Sequence, residues 1–268
     1  MKLCAIAAAA LLAAGQTVLA ADVQPGAEIK SVPGAILLCT AAGHQARIIY
    51  GRDLRAISFR GKKLIDYMGI TVWDPKWKRS VQLRNGNNLE RVRTRSFCKD
   101  GQAGVRFSCV MDLGEDAVGK LLCEGRIVMD GNGSLTVQYD LHAPAGFRGG
   151  MRINCRPHLP TLAGHTIMCK PKGAYTVTKR FVKHWAFARS NVTRAAIDLP
   201  DMLMAFALDP PSSFVVEDGR NRWRDSFYLE FQQLPQGIKP IGMGAYAFPK
   251  GSRWTMRATL HFGPKPDN

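Results

Sequence analysis

An alternation with period two runs through this chain and limits most of it to strands. It is plain in Arg91-Val92-Arg93-Thr94-Arg95-Ser96-Phe97, and it recurs from Val105 to Met111, Ser134 to Tyr139 and Thr255 to Phe262. Successive side chains of a strand point to opposite faces, so each such run offers one face to a core. Turn residues separate the runs: Lys99-Asp100-Gly101, Leu113-Gly114-Glu115-Asp116 and Asp130-Gly131-Asn132-Gly133. Short strands at this spacing indicate an all-β chain, a sandwich or a barrel. Glu90 to Leu141 reads as an antiparallel meander of four strands. Met202 to Leu208 is continuously apolar between Pro200 and Pro210, and reads as a buried strand. No amphipathic helix exceeds about three turns. No repeat of roughly 20–50 residues appears, which disfavours solenoids and propellers.

The N-terminal segment follows a different rule. Lys2 precedes the uncharged run Leu3 to Ala14, and Val18-Leu19-Ala20 has small residues where a processing enzyme would cut. Residues 1–20 have the form of a secretory signal peptide. The mature chain is expected to start at Ala21 and to form one domain over residues 21–268. Its expected location is periplasmic or extracellular. The apolar run is too short for a membrane span, and no later segment approaches the required length. Six cysteines remain: Cys39, Cys98, Cys109, Cys123, Cys155 and Cys169. An exported chain could pair them, but Cys109, Cys123 and Cys155 share strand faces with apolar residues, which favours buried free thiols. No CxxC spacing supports a metal site, so neither metal nor cofactor is expected.

Three stretches carry a family resemblance. Arg52 to Ile65 includes Phe59-Arg60-Gly61-Lys62-Lys63-Leu64-Ile65, a hairpin with Gly-Lys before an apolar pair. Gly149-Gly150-Met151-Arg152-Ile153 leads to His158-Leu159-Pro160. Phe248-Pro249-Lys250-Gly251-Ser252-Arg253-Trp254 opens the last alternating run. These resemble the early hairpin, the central strand and the closing turn of the galactose-mutarotase-like β-supersandwich, a fold of sugar epimerases and polysaccharide-degrading enzymes. The resemblance implies a large antiparallel β-sandwich and a sugar-binding or sugar-processing role. In its epimerases, paired histidines and a late carboxylate surround the sugar. Here His158, His165 and His184 precede Glu217, Asp225 and Glu230, without a local motif that assigns them.

Candidate binding residues are aromatic and basic. Trp73 and Trp77 flank Asp74-Pro75-Lys76, and Trp223 lies between Arg222 and Arg224. Indole faces stack on the apolar face of a sugar ring while nearby polar groups take its hydroxyls; the structural reading is that these tryptophans plug the core. Arg91, Arg93 and Arg95 are spaced by two, so an unbroken strand would show all three on one face. They and Arg222 suit carboxylate or sulfate groups; the structural reading is a solvated face balanced by Glu90, Asp225 and Glu230. Lysine and arginine number 37 against 21 acidic residues, for a formal charge of +16. That charge points to an anionic partner. Nucleic acid is disfavoured by export and by the absence of its common sequence modules.

The expectation is therefore an exported protein that binds carbohydrate, above all acidic polysaccharide, through Trp73, Trp77, Trp223, Arg91, Arg93, Arg95 and Arg222. Two alternatives remain. One is an epimerase, lyase or glycoside hydrolase of the same fold, with His158, His184 and Glu217 as acid and base. The other is a structural cell-envelope protein whose charge serves attachment. No HExxH, GxSxG, phosphate-binding or dinucleotide fingerprint occurs.

Overall fold

The computed structural model describes residues 26–83, 88–114, 118–221, 227–242 and 244–265. The expected signal peptide, Arg222, Trp223 and Asp225 lie outside them.

The chain is all-β. β1 (Glu28–Val32), β2 (Ala35–Cys39), β3 (His44–Ile49), β4 (Asp53–Phe59) and β5 (Lys62–Trp73) follow one another as antiparallel hairpins. The short β6 (Ser80–Gln82) folds back on β5. The expected meander is present as β7 (Leu89–Lys99), β8 (Gln102–Asp112), β9 (Lys120–Met129) and β10 (Leu135–Ala143). The long β11 (Phe147–Pro157) returns to pair with β5. After the single turn of α1 (Leu159–Leu162) come β12 (Thr166–Lys170), β13 (Ala174–Thr176), β14 (Trp185–Asp198) and β15 (Leu203–Asp218). The chain closes with β16 (Phe227–Gln232), β17 (Lys239–Gly242), β18 (Ala245–Phe248) and β19 (Ser252–Gly263).

Two layers result. β5, β11 and β16 form the centre of the first, joined by the C-terminal part of β15 and the N-terminal part of β14. The meander, β19 and the other ends of β15 and β14 form the second. β14 and β15 thus pass through both layers. They change layer around Pro210-Pro211, where β14 shifts register between Arg189 and Arg194. Proline cannot donate to a ladder, so this is where a continuous strand can break and turn the corner.

Apolar residues from both layers meet in one core. Ile70, Val72, Ile153 and Phe231 fill it from the first layer, and Phe107, Tyr139, Met256 and Leu260 from the second. The Phe206 and Phe231 rings pack 5.0 Å apart at centre. Each such fully buried side chain contributes roughly 1.5–3 kcal/mol. The run from Met202 to Leu208 is the buried start of β15, as expected. Cys39, Cys109, Cys123, Cys155 and Cys169 are buried free thiols, while Cys98 is exposed. No helix among the described residues is long and apolar enough to cross a membrane.

Candidate functional site

On the face of the first layer turned away from the core, the alternation places polar groups side by side. Arg152 and Asn154 project from β11, Glu230 and Gln232 from β16, and Ser213, Val215 and Glu217 from β15. Register aligns Asn154 with Glu230, Glu230 with Val215 and Gln232 with Ser213. The intervening residues Ile153, Phe231, Phe214 and Val216 lie in the core. Packing of the apolar partner positions therefore fixes which way the polar ones point.

Three indoles wall this face. Trp73 ends β5 opposite Gly150 of β11. Its ring lies where a side chain at 150 would be: a Cβ there would come within 2.1 Å of it. Asp74 then makes a tight turn, its carboxylate accepting hydrogen bonds from the backbone N–H of Lys76 at 2.7 Å and of Arg79. Trp77 adopts a positive φ of 58° in that turn and returns its ring over Trp73. The two rings stack at 4.5 Å and 23°. Trp73 is buried at 2% exposure, whereas Trp77 is 43% exposed. Across the cleft, Trp185 at the start of β14 is 50% exposed. Trp73, Trp77, Arg152, Trp185, Glu230 and Gln232 line a cleft of about 280 Å³.

Charge gathers at its base. The Arg152 guanidinium lies under both stacked indoles, 4.8 Å from the Trp73 ring centre and 5.2 Å from that of Trp77. Its Nη1 donates to Glu230 Oε2 at 2.5 Å, and its Nη2 is 3.5 Å from Glu217 Oε2. His184 Nε2 is 3.4 Å from Glu217 Oε1. Burial pushes the Glu230 carboxyl well above the usual carboxylate range; Arg152 opposes the rise, and a hydrogen bond and repulsion from Glu217 add to it. Two carboxyls on one guanidinium repel each other, which adds to the bias of Glu230 toward its protonated form. Buried Trp73 Nε1, Arg152 Nε and Asn154 Oδ1 have no hydrogen-bond partner among the described residues. Such groups call for water or a polar ligand.

The expected residues divide among three places. Trp73 and Trp77 line the cleft, and Glu217 and His184 lie next to it, joined to it through Arg152. His158 does not join them. It sits at the end of β11 with Nδ1 3.5 Å from Asp66 Oδ1, in a recess that it lines with Asp66, Arg156 and Lys179. Six residues of strand, roughly 20 Å at about 3.3 Å per residue, separate it from Arg152. The pairing of His158 with Glu217 is thus replaced by His158 with Asp66 and His184 with Glu217. The arginines are in the other layer, on β7, away from the tryptophans. Nor do all three share a face. Glu90 pairs with Val110 and Arg93 with Ser108, so Arg91 and Val92 together oppose Cys109 in a bulge. Arg91 takes a φ of 52° there and drops out of step with Arg93 and Arg95. Their expected counter-charges are engaged elsewhere: Glu90 with Lys120 at 3.3 Å, Glu230 with Arg152.

Sequence pattern does not mark Arg152, Asn154, Gln232 and Trp185 as a site, and offers Glu230 only as one of three late carboxylates. A signal existed in Phe227-Tyr228-Leu229-Glu230-Phe231-Gln232, where a carboxylate and an amide interrupt a strand too apolar to lie on a solvated surface.

With this geometry in hand, solved structures can be compared. A GalM/aldose epimerase homologue from C. elegans superposes with a TM-score of 0.52 at 9% identity, covering 86% of this chain and 99% of that one. A galactose mutarotase related enzyme from Lactobacillus acidophilus does so at 0.50 and 8% identity, covering 90% and 98%. The fold is galactose-mutarotase-like. The three stretches that carried the resemblance are structural parts of this galactose-mutarotase-like chain: the β4–β5 hairpin, β11, and the turn from β18 into β19. No family model and no curated protein sequence matches it. At such identity the likeness is one of fold.

Proposed function

We propose that this chain is an exported carbohydrate-binding protein and that the tryptophan-walled cleft holds a sugar ring. The observation that carries this reading is the pairing of two half-exposed indoles, Trp77 and Trp185, with a polar base of Arg152, Glu230 and Gln232. A sugar ring needs both: an apolar wall for its C–H face and buried hydrogen-bonding groups for its hydroxyls. The solved structures of the same fold are described as sugar epimerases or their relatives, which agrees with this use. The export part rests on the form of residues 1–20.

A second reading is favoured by the Glu217–Glu230 pair. A carboxyl that burial biases toward its protonated form, with a second carboxyl on the same arginine, offers groups that can give or take a proton beside the cleft. With His184 beside Glu217, such a pair can exchange protons with the oxygens of a bound ring.

Calorimetric titration of the protein with neutral monosaccharides and short oligosaccharides tests the first reading. Saturable binding that Trp77→Ala and Trp185→Ala each weaken supports it, and unchanged affinity in both variants removes the cleft from the site. Polarimetry on the sugars that bind tests the second. Anomer exchange lost in Glu230→Gln supports acid–base chemistry, and an unchanged rate ends it.

A further inference from the structure

The second layer carries a feature that neither the cleft nor the fold explains. On its outward face, Arg95 of β7 pairs in register with Arg106 of β8, and Arg106 with Arg126 of β9. The row continues through Gln138 of β10 to Arg257 of β19. Four guanidiniums thus lie along one line across five strands, with steps of about 4.8 Å. Arg93 stands beside the row, and Glu124 and Asp140 are the carboxylates next to it. Arg93, Arg95, Arg106 and Arg126 line a groove of about 490 Å³ with these two acids.

Like charges placed directly opposite on neighbouring strands destabilise a sheet. Compensation within the chain is slight. Among the described residues, none of the five arginines forms an ion pair with a carboxylate. Arg126 donates to Gln138 Oε1, and Asp140 is taken by Gln138 at 3.0 Å and Thr255 at 2.6 Å. Protection of an exposed edge could account for Arg93 and Arg95, since among the described residues β7 pairs only with β8. It cannot account for Arg106 and Arg126, which are on interior strands.

We infer that this arginine row is a second binding site, taking a linear polyanionic glycan laid across the strands. The strand spacing is close to the length of one sugar residue in a chain, so successive acidic groups can meet successive guanidiniums. Arginine suits this task because its planar fork binds carboxylates and sulfates in pairs of hydrogen bonds. Hydroxyl and amide groups for the sugar hydroxyls flank the row at Ser108, Thr136, Gln138 and Thr259. Single-stranded nucleic acid would want exposed aromatic faces for its bases. The aromatic ring beside the row, Phe97, is covered by the Arg106 guanidinium at 5.1 Å. The inference stands apart from the cleft reading: the tryptophans and the arginines are on opposite outer faces of the sandwich.

Binding of sodium polygalacturonate to the purified protein tests it, with dextran as the neutral polymer and an oligodeoxythymidine of equal charge as the nucleic-acid comparison. The expected result is polygalacturonate binding that weakens as salt rises. It should fall roughly tenfold or more in the triple variant Arg95→Ala, Arg106→Ala, Arg126→Ala, and be unaffected by Trp77→Ala. The triple variant should melt no lower than the parent, because it removes mutual repulsion; if it does not fold, Arg95→Gln with Arg126→Gln serves in its place. Polygalacturonate binding unchanged by the substitutions overturns the proposal. So does equal or tighter binding of the oligonucleotide, or no polygalacturonate binding at low salt. A failed cleft would show instead as loss of neutral-sugar binding with the polyanion site intact.

Discussion

Glu230 Oε2 lies 2.5 Å from Arg152 Nη1, yet the Glu230 carboxyl titrates above, not below, the usual range. An arginine at that distance ordinarily lowers a carboxyl pKa. Here burial outweighs it, with Glu217 as a competing acid on the same guanidinium. The group thereby keeps its proton to a higher pH than an ordinary carboxyl does.

This has a consequence for stability. The folded chain binds the Glu230 proton more tightly than the unfolded chain does. That contribution is present below the ordinary glutamate value of about 4.3 and is lost as pH rises through the raised native value. Glu230→Gln keeps a neutral group of the same shape at every pH. Urea denaturation along a pH series should show the parent losing stability relative to the variant as pH rises. A difference moving in the parent's favour would contradict a protonated Glu230.

The two stacked tryptophans should separate in their effects. Trp73 is fully buried and Trp77 is half-exposed. Trp73→Ala should cost roughly 3–5 kcal/mol, as large-to-small core changes do. Trp77→Ala should leave the melting temperature within a few degrees of the parent and act on sugar affinity. Thermal denaturation and titration of both variants check this; a large loss of stability in Trp77→Ala would make it a core plug.

Gly150→Ala tests the wall from behind. Its Cβ would stand 2.1 Å from the Trp73 indole, so the ring must move. The expected cost is about 1–3 kcal/mol, typical of overpacking, with weaker sugar binding and altered tryptophan fluorescence. Unchanged fluorescence and affinity would show that Trp73 does not set the cleft.

Thiol labelling should be selective. Burial holds the Cys155 thiol well above its usual range and that of Cys169 up to about 11. Thiolate is the reactive form, so both should be slow. Cys98 is exposed on β7 and should react first with a thiol-specific reagent in the native protein. Loss of that fast phase in Cys98→Ser confirms the assignment; a fast phase that survives assigns it to another thiol.

Alternation and turn chemistry were enough to determine the all-β class, the meander from β7 to β10, the buried start of β15 and the burial of most cysteines. Those properties are local: a strand face is decided by residues two apart, and a turn by three or four neighbours. Trp73 and Trp77 were legible for the same reason, being four residues apart in one turn. What brings Arg152, His184, Glu217 and Glu230 together is register among β11, β16, β15 and β14, strands separated by up to 78 residues between Arg152 and Glu230. No local pattern encodes that register, because it is set by how the apolar faces of distant strands fill one core. The arginines show the same limit in reverse. Their spacing of two foretold a shared face, but a bulge at Arg91 removed one of them, and pairing with β8 and β9 supplied Arg106 and Arg126 in its place. Residue types and spacing thus determined which chemistry the chain holds; only tertiary packing decided that the indoles and the arginine row serve opposite faces.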